Sequence, residues 1–287
     1  MLTTTAELVE DARGRGCGVA AFNVITLEHA EAVAAGAEAS GLPAILQISQ
    51  NAARFHGGPL AIAAAARAVA QASSAALALH LDHVEDVDLL HSATACGVSS
   101  VMFDASKLDD EANVAATREA SAWAHRHGLW LEAELGEIGG KGGAHTPGVR
   151  TDPDQAAAFV AATGVDGLAV AVGSSHAMRA RVGRLDLDLI ERLRDAVPVP
   201  LVLHGSSGIE NDHLAEAVAR GMVKINIGTL LNLAFTGAVR EMLVEDSVVD
   251  PRVYLAPARS AMADAVADCQ RAIAAPAASA ITLTGNR

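Results

Sequence analysis

The chain contains little positive charge. Lysine occurs at only three of 287 positions, and 21 Lys and Arg residues stand against 34 Asp and Glu residues, for a formal net charge of −13 with neutral histidine. Affinity for a nucleic-acid backbone comes from clustered Lys and Arg. We therefore expect no nucleic-acid partner, and any anionic ligand must be held by local groups.

Cysteine is scarce, and long apolar segments are lacking. Cys17, Cys96 and Cys269 are odd in number and far apart, which fits neither a disulfide framework nor a thiolate metal site. No apolar run approaches the ~20 residues of a membrane span. The first residues show no basic segment followed by an apolar one, as a secretory signal would. We expect a protein of the reducing cytoplasm without membrane association.

Short apolar runs alternate with alanine-rich segments whose apolar residues recur every three or four positions. Eight strands are predicted, over residues 19–24, 44–48, 77–81, 99–103, 129–135, 167–172, 201–204 and 223–227. Helices are predicted after them, among others over 27–40, 85–96, 111–127, 154–163, 186–196 and 211–220. Eight such units over about 250 residues predict an α/β fold of the TIM (β/α)₈ barrel type.

Hydrophobic residues make up 51% of the chain, which is ample for one large core. An open doubly wound sheet is disfavoured because no GxGxxG follows the first strand. We expect one barrel domain over residues 1–287. A C-terminal helical extension is expected over 250–275, with its helix at 258–274, and a flexible tail over 276–287.

In TIM barrels the chemistry lies at the carboxyl ends of the strands, and this rule sorts the eleven histidines. Five lie in predicted helices or at their ends and are expected to face solvent: His29, His91, His125, His127 and His213. His80 lies within the third strand and is expected in the core, while His56 and His145 are in loops and stay undecided. Three histidines follow strands and are expected to meet at the barrel mouth: His83, His176 and His204.

Three imidazoles with an open fourth position are the ligand set of a catalytic zinc. Three carboxylates accompany them, since Asp82 adjoins the first histidine and Asp104 and Glu134 close the fourth and fifth strands. Alternation places Glu132 and Glu134 on one strand face. Carboxylates at such a place act as proton carriers, outer partners of the ligands or alternative ligands.

The loops after the last two strands are built from small residues, Gly205-Ser206-Ser207-Gly208 and Asn226-Ile227-Gly228-Thr229. Small residues leave backbone N–H groups accessible, and these loops are the phosphate position of the TIM barrel. A divalent metal, a proton carrier and a phosphate site at one mouth suit C–C cleavage or proton loss next to a carbonyl. The sequence therefore predicts aldol cleavage of a phosphorylated substrate.

Several motifs in this order resemble one known family. They are AFNV at 21–24, HLDH at 80–83, SSVMFDAS at 99–106, EAELGEIGG at 132–140, LVLHGSSG at 201–208, KINI at 224–227 and DPRVYL at 250–255. The chain resembles the class II, metal-dependent ketose-bisphosphate aldolases over nearly its whole length. The best-known members of that family cleave fructose-1,6-bisphosphate or tagatose-1,6-bisphosphate.

The resemblance implies that His83, His176 and His204 bind one zinc ion, with Asp104 and Glu134 near it as ligands of a second or displaced ion. It implies that Asp82 exchanges a proton with the C4 hydroxyl of the ketose. The expected substrate contacts, with Na⁺ or K⁺ nearby, are Asn23, Gln47, Ala177, Gly205, Ser206, Ser207, Asn226, Ile227, Gly228 and Thr229. Arg252 resembles a residue that reaches the second substrate phosphate in a neighbouring subunit, so homodimers or homotetramers are expected.

The chain departs from the family pattern at three places. Lys141-Gly142-Gly143 stands where an acidic pair usually supplies the base, Ala177 replaces a glycine, and Gly228 and Leu230 replace residues that are often acidic. Under one hypothesis Glu137, His145 or Asp152 supplies the base. Under another, the protein binds a sugar phosphate with impaired turnover. A third hypothesis is a Schiff-base aldolase with Lys224 as nucleophile.

Overall fold

The protein is described here by a computed structural model covering residues 1–135, 150–174 and 181–274. Its eight strands form a closed, entirely parallel barrel in chain order, which confirms the predicted TIM barrel. The strands are β1 Val19–Asn23, β2 Ala44–Ser49, β3 Leu77–Val84, β4 Ser100–Phe103, β5 Trp130–Glu134, β6 Gly167–Ala169, β7 Leu201–Leu203 and β8 Met222–Ile227.

Helices surround the barrel, and the six that were predicted between the strands lie within two residues of their expected bounds. The helices are α1 Thr5–Arg15, α2 Leu27–Ser40, α3 Gln50–Phe55, α4 Leu60–Ala72, α5 Val87–Cys96, α6 Asp110–Arg126, α7 Pro153–Thr163, α8 Leu187–Ala196, α9 Asn211–Arg220, α10 Thr229–Met242 and α11 Pro251–Ala274. Glycine stops several of them sharply. Gly41 ends α2 with a φ of 71°, a conformation that glycine adopts without strain. No helix among the described residues is long and apolar enough to cross a membrane.

Side chains alternate along each strand between the barrel interior and the helices. The outward residues, such as Phe22 and Leu46, pack with the helices in one large apolar core. A second, smaller core fills the amino-terminal end of the barrel, where α1 covers the floor. Its buried members are Leu8, Val9, Ala12, Val19, Ala21, Ile45, Ala78 and Val223. The floor is therefore apolar and closed, and polar inward positions are left for the opposite end.

The helix α1 and the start of α11 were not predicted from the sequence. Thr4 and Glu7 form a capping box at the start of α1, and the Thr-x-x-Glu spacing is the signal that identifies such a helix. Helix α11 begins at Pro251, seven residues before the predicted start at 258. Proline is favoured in the first turn of a helix because its missing N–H would be unpaired there anyway. The helix thus begins near the start of the expected extension at 250–275 rather than at residue 258.

His29 was expected to face solvent, and this prediction is wrong. Its side chain is 3% exposed and stacks on Phe235 of α10, with ring centroids 5.5 Å apart. Burial lowers the pKa of His29. The periodicity of α2 alone does not show that a helix from the far end of the chain covers this face.

Helix α11 runs alongside α2 in the same direction, as two contacts show. Arg259 forms an ion pair with Glu31, and the Ser40 hydroxyl donates a hydrogen bond to Gln270. Between these contacts the two helices meet at Gly36. A Cβ atom added there would lie 2.5 Å from Val266 Cγ1 and 2.6 Å from the carbonyl oxygen of Ala263. Moving the backbone of α11 aside would cost packing energy. The close approach of α2 and α11 therefore depends on glycine at position 36.

We expect Gly36→Ala to lower the free energy of unfolding relative to Gly14→Ala by about 1–3 kcal/mol, the usual cost of overpacking. Gly14 is the matched control, since it is also helical and a Cβ added there meets no atom within 4 Å. Both variants gain the same helix propensity, so their difference isolates the contact. Urea unfolding measures both, and equal stabilities would contradict the packing argument.

Candidate active site

The carboxyl ends of β3 and β7 bring together the predicted chemical groups. One ligand atom each from Asp82, His83 and His204 lies within 4.8 Å of the others, a geometry suited to a metal ion. The rings of His83 and His204 meet edge to face, with centroids 4.8 Å apart. The third predicted ligand, His176, lies outside the described residues. Two of the three histidines therefore meet the predicted catalytic aspartate at the barrel mouth.

The backbone at His83 departs from the regular strand. Strict alternation would place neighbouring residues Asp82 and His83 on opposite faces of β3. His83 has a φ of 48°, and it is the only non-glycine residue with positive φ in the part of the chain that the structure describes. The pairing of β3 with β4 also shifts register between Leu81 and Val84. This irregularity lets both Asp82 and His83 face the mouth.

His83 and Asp104 form a short polar pair. His83 Nδ1 lies 2.8 Å from Asp104 Oδ2, and Asp104 Oδ1 accepts a hydrogen bond of 2.6 Å from the Ser106 hydroxyl. Burial opposes a charge on His83, but the carboxylates of Asp82 and Asp104 outweigh it and raise the pKa of His83 to about 10. Burial likewise favours neutral Asp104, yet hydrogen bonds from His83 and Ser106 leave its pKa well below the usual range.

The Asp82 carboxyl is buried in the mouth. Burial raises its pKa, although the charges of His83 and Lys224 oppose this. A carboxyl with a raised pKa is a better proton acceptor than an exposed aspartate and can also return the proton. His80 lies below it with Nε2 3.9 Å from Asp82 Oδ1, and its Nδ1 is 2.8 Å from the Ser100 hydroxyl. His80 is fully buried, as predicted, and burial holds its pKa well below the ordinary value.

A second polar cluster lies in the barrel interior around Glu132. Glu132 Oε1 is 2.9 Å from His204 Nε2, and Glu132 Oε2 is 2.8 Å from Lys224 Nζ. His204 Nδ1 lies 3.5 Å from Glu134 Oε2, so Glu134 lies beside one residue of the candidate metal site. Sequence reasoning gave Glu132 no role. Its inward position on the Glu134 face was the available signal, but its partner on β8 was not apparent.

The two predicted phosphate loops lie together. Gly205 adopts the left-handed conformation and leads into a short 3₁₀ turn, Ser206–Gly208. The Ser206 hydroxyl donates to the carbonyl of Asn226, and the Leu230 amide donates to the Ser207 hydroxyl at 3.2 Å. Thr229 begins α10, so a helix N-terminus adjoins the turn, which favours anions.

Ile227 and Gly228, in the second predicted phosphate loop, differ in their surroundings. The side chain of Ile227 is buried in the outer core, so this residue can offer only its backbone to a substrate. At Gly228 an added Cβ would lie 2.9 Å from Asn23 Nδ2. Glycine at 228 therefore lets the Asn23 amide lie close to the backbone that follows β8.

Asn23 and Gln47 stand at the ends of β1 and β2, opposite each other in register. Gln47 donates a side-chain hydrogen bond to Asn23 Oδ1. Two residues further on, Ser49 is in register with Asp82, and its hydroxyl caps α3 by accepting from the Ala52 amide. Ser49 is thus a mouth residue that sequence reasoning missed, although alternation from Gln47 would have found it.

The remaining predicted residues fall into two groups: some lie outside the described residues, and the others make contacts elsewhere. Glu137, His145 and the segment Lys141-Gly142-Gly143 lie outside the described residues, as does Ala177. Asp152, the third candidate base, caps α7 by accepting from the Asp154 and Gln155 amides. Arg252 is 90% exposed and pairs with Asp250, with Nη2 2.6 Å from Oδ2.

Known proteins share this sequence pattern and fold. A sequence model described as fructose-bisphosphate aldolase class-II matches residues 3–275. The YdjI aldolase from Escherichia coli K12 is 32% identical, with a TM-score of 0.84 over 95% of this chain and 97% of that chain. The fructose-bisphosphate aldolase from Campylobacter jejuni has the same fold at 24% identity, with a TM-score of 0.82 over 95% of each chain. The chain therefore belongs to the class II fructose-bisphosphate aldolase family and is a metal-dependent lyase.

Proposed function

We propose that the protein reversibly cleaves a ketose phosphate or bisphosphate to dihydroxyacetone phosphate and an aldehyde, with zinc as its metal. Fructose-1,6-bisphosphate and tagatose-1,6-bisphosphate are the first substrates to test. The observation that carries the proposal is the approach of Asp82, His83 and His204 to within 4.8 Å at the barrel mouth. The small-residue loops after β7 and β8 supply the phosphate site, with Na⁺ or K⁺ nearby.

The residues present fit a divalent metal. The two proposed ligands that the structure describes, His83 and His204, each have one ring nitrogen close to a carboxylate. The carboxylate is Asp104 for His83 and Glu132 for His204. Such carboxylate–histidine pairs orient metal-binding imidazoles, and nitrogen donors favour zinc over magnesium. His176 is the proposed third ligand, and Asp104 and Glu134 are proposed to serve a second or displaced ion. When bound, the metal supplies a Lewis acid that stabilises negative charge on the substrate oxygen.

The protein residues move the protons. Asp82 takes the proton of the C4 hydroxyl as the C3–C4 bond breaks and returns it in the reverse direction. Its raised pKa suits this role, because its protonated and charged forms are closer in free energy than those of an exposed aspartate. Glu137 and His145 are the proposed bases for the carbon-bound proton of dihydroxyacetone phosphate. Arg252 is proposed to meet the second phosphate of a substrate bound in a neighbouring subunit.

Two rival functions give different results in simple assays. A Schiff-base aldolase needs a neutral amine accessible to substrate, whereas Lys224 is 0% exposed and ion-paired with Glu132. A metal chelator should therefore abolish cleavage, and borohydride added with substrate should trap no adduct at Lys224. A sugar-phosphate-binding protein would bind dihydroxyacetone phosphate without cleaving ketoses or exchanging the proton next to the carbonyl.

The roles of the site residues are separable by substitution. We expect His204→Ala to lose bound zinc and activity together. We expect Asp82→Asn to keep zinc but to lower kcat for ketose cleavage by about 10²–10⁴-fold, the usual contribution of a general acid or base. Metal analysis and a coupled cleavage assay measure both. Full activity of Asp82→Asn would contradict its role as proton carrier.

Zinc affinity should depend on pH through His83. A metal binds only the neutral imidazole, and the pKa of His83 is raised to about 10, so its proton must leave at neutral pH. Below this pKa the apparent affinity should rise about tenfold per pH unit, which is about 30-fold between pH 7 and 8.5. A histidine of ordinary pKa would give almost no change in this range.

Competition with a chelator, corrected for its own protonation, gives this pH dependence. Asp104→Asn removes one carboxylate that raises the pKa of His83, so its curve should be flatter than that of the wild type. If the wild-type affinity changes less than threefold between pH 7 and 8.5, a charged pair of His83 with Asp104 in the metal-free protein is ruled out.

We also propose that the protein is a cytoplasmic homodimer or homotetramer. Within the described chain, Leu231 is the only buried residue of α10, although most of this helix is apolar. Leu233 is 43% exposed, and Val244 and Val249 in the following segment are 77% and 83% exposed. Exposed apolar residues thus recur along α10 and the segment after it, and this stretch is the proposed subunit contact.

The assembly prediction is tested by light scattering on purified protein. We expect a mass of two or four chains, reduced by Leu233→Asp. The matched control is Val87→Asp, which places the same charge at an apolar residue of α5 that is 51% exposed and should leave the mass unchanged. A wild-type monomer would contradict the prediction.

A further inference from the structure

A pair of opposite charges lies in the barrel interior beneath the metal-site residues. Glu132 and Lys224 are both 0% exposed, and Lys224 Nζ lies 2.8 Å from Glu132 Oε2. Unpaired charges at this depth are strongly unfavourable, and each member removes the penalty of the other. Neither charge can therefore be removed alone without a large effect on its surroundings.

Each member of the pair also contacts a residue of the proposed active site. Glu132 Oε1 lies 2.9 Å from Nε2 of His204, and Lys224 Nζ donates to Oδ1 of Asn226 at 2.7 Å. Asn226 Nδ2 points on to Asp82 Oδ1 at 3.5 Å. A continuous set of contacts thus runs from His204, which follows β7, through Glu132 on β5 to Asn226 near the carboxyl end of β8.

The pair also sets the charge below the metal. With both members present, the pair adds no net charge next to His204. If only the carboxylate is neutralised, a buried ammonium remains close to the metal position and repels a divalent cation. If only the ammonium is removed, Asn226 loses its donor and Glu132 keeps a charge without a cation beside it.

We propose that Glu132 and Lys224 form one positioning unit, which orients His204 for the metal and Asn226 for the substrate. The inference rests on the proposed function in taking His204 as a metal ligand and Asn226 as a substrate contact. It gives Lys224 a role that needs no covalent step, and it gives Glu132 a function that the sequence did not indicate.

The metal side is tested with Glu132→Gln and with the double variant Glu132→Gln/Lys224→Met. Glutamine still offers an oxygen to His204, so the single variant mainly exposes the charge of Lys224. We expect its zinc affinity, measured by competition with a chromophoric chelator, to fall 10–100-fold, as for other partners of metal ligands. The double variant removes both charges and should recover to within about fivefold of wild type, since replacing a whole buried pair is often neutral.

The substrate side is tested with Lys224→Met at saturating zinc. Loss of the donor to Asn226 should raise KM for the ketose phosphate about tenfold, roughly one lost hydrogen bond. Lys107→Met is the matched control, because this lysine is exposed and forms its ion pair with Glu85 on the surface, and its KM should not change. If Lys224 were a Schiff-base nucleophile, Lys224→Met would instead abolish kcat.

The outcomes separate this inference from the proposed function. If the wild type binds no zinc, the proposed metal site and the inference fail together. If the wild type binds zinc and Glu132→Gln binds it equally well, only the inference is overturned. The same holds if the double variant binds zinc as weakly as Glu132→Gln, or if Lys224→Met leaves KM unchanged. Circular dichroism of the metal-free variants shows that each one is folded.

Discussion

The closed barrel turns every second strand residue into its interior, and the whole site depends on this constraint. Water has little access there, so an inward polar group must find a partner from another strand. At the floor α1 closes a mainly apolar layer, and the buried hydroxyl of Ser100 donates to that of Thr5. At the mouth, Glu132 on β5 meets Lys224 on β8, and His204 meets Glu132. The mouth is thereby built from charges that hold one another in place.

His83 is the exception to this alternation, and its position explains the local strain. A regular strand would turn His83 away from Asp82 and toward the helices. A left-handed backbone at a non-glycine residue costs about 1–3 kcal/mol, and the surroundings must compensate for it. The pairing of His83 with Asp104 is one such compensation. His83 is also the residue that brings a second imidazole close to His204. Strained backbone is often found at functional sites.

The barrel could be predicted from the sequence because apolar strand runs and helix-ending glycines such as Gly41 are local signals. The structure confirms this prediction. The meeting of Asp82, His83 and His204 was also predictable, since strand ends of one barrel share a rim. The burial of His29 was not, because its cover is Phe235, more than two hundred residues away. The pairing of Glu132 with Lys224 was equally hidden. Which residues face each other across a barrel depends on strand register and tilt, and no local pattern reveals these.

The charges at the mouth also explain how an acidic protein can bind an anionic substrate. Asp82, Asp104 and Glu134 surround the candidate metal position, and Lys224 is already balanced by Glu132. Without a cation this rim would repel a sugar phosphate. The backbone amides around Gly205 and the N-terminus of α10 supply only partial positive charge, which acts over a short range. A divalent ion held by His83 and His204 would reverse the sign of the local field at this rim. These residues would then serve both the approach of an anionic substrate and the stabilisation of negative charge that develops on it.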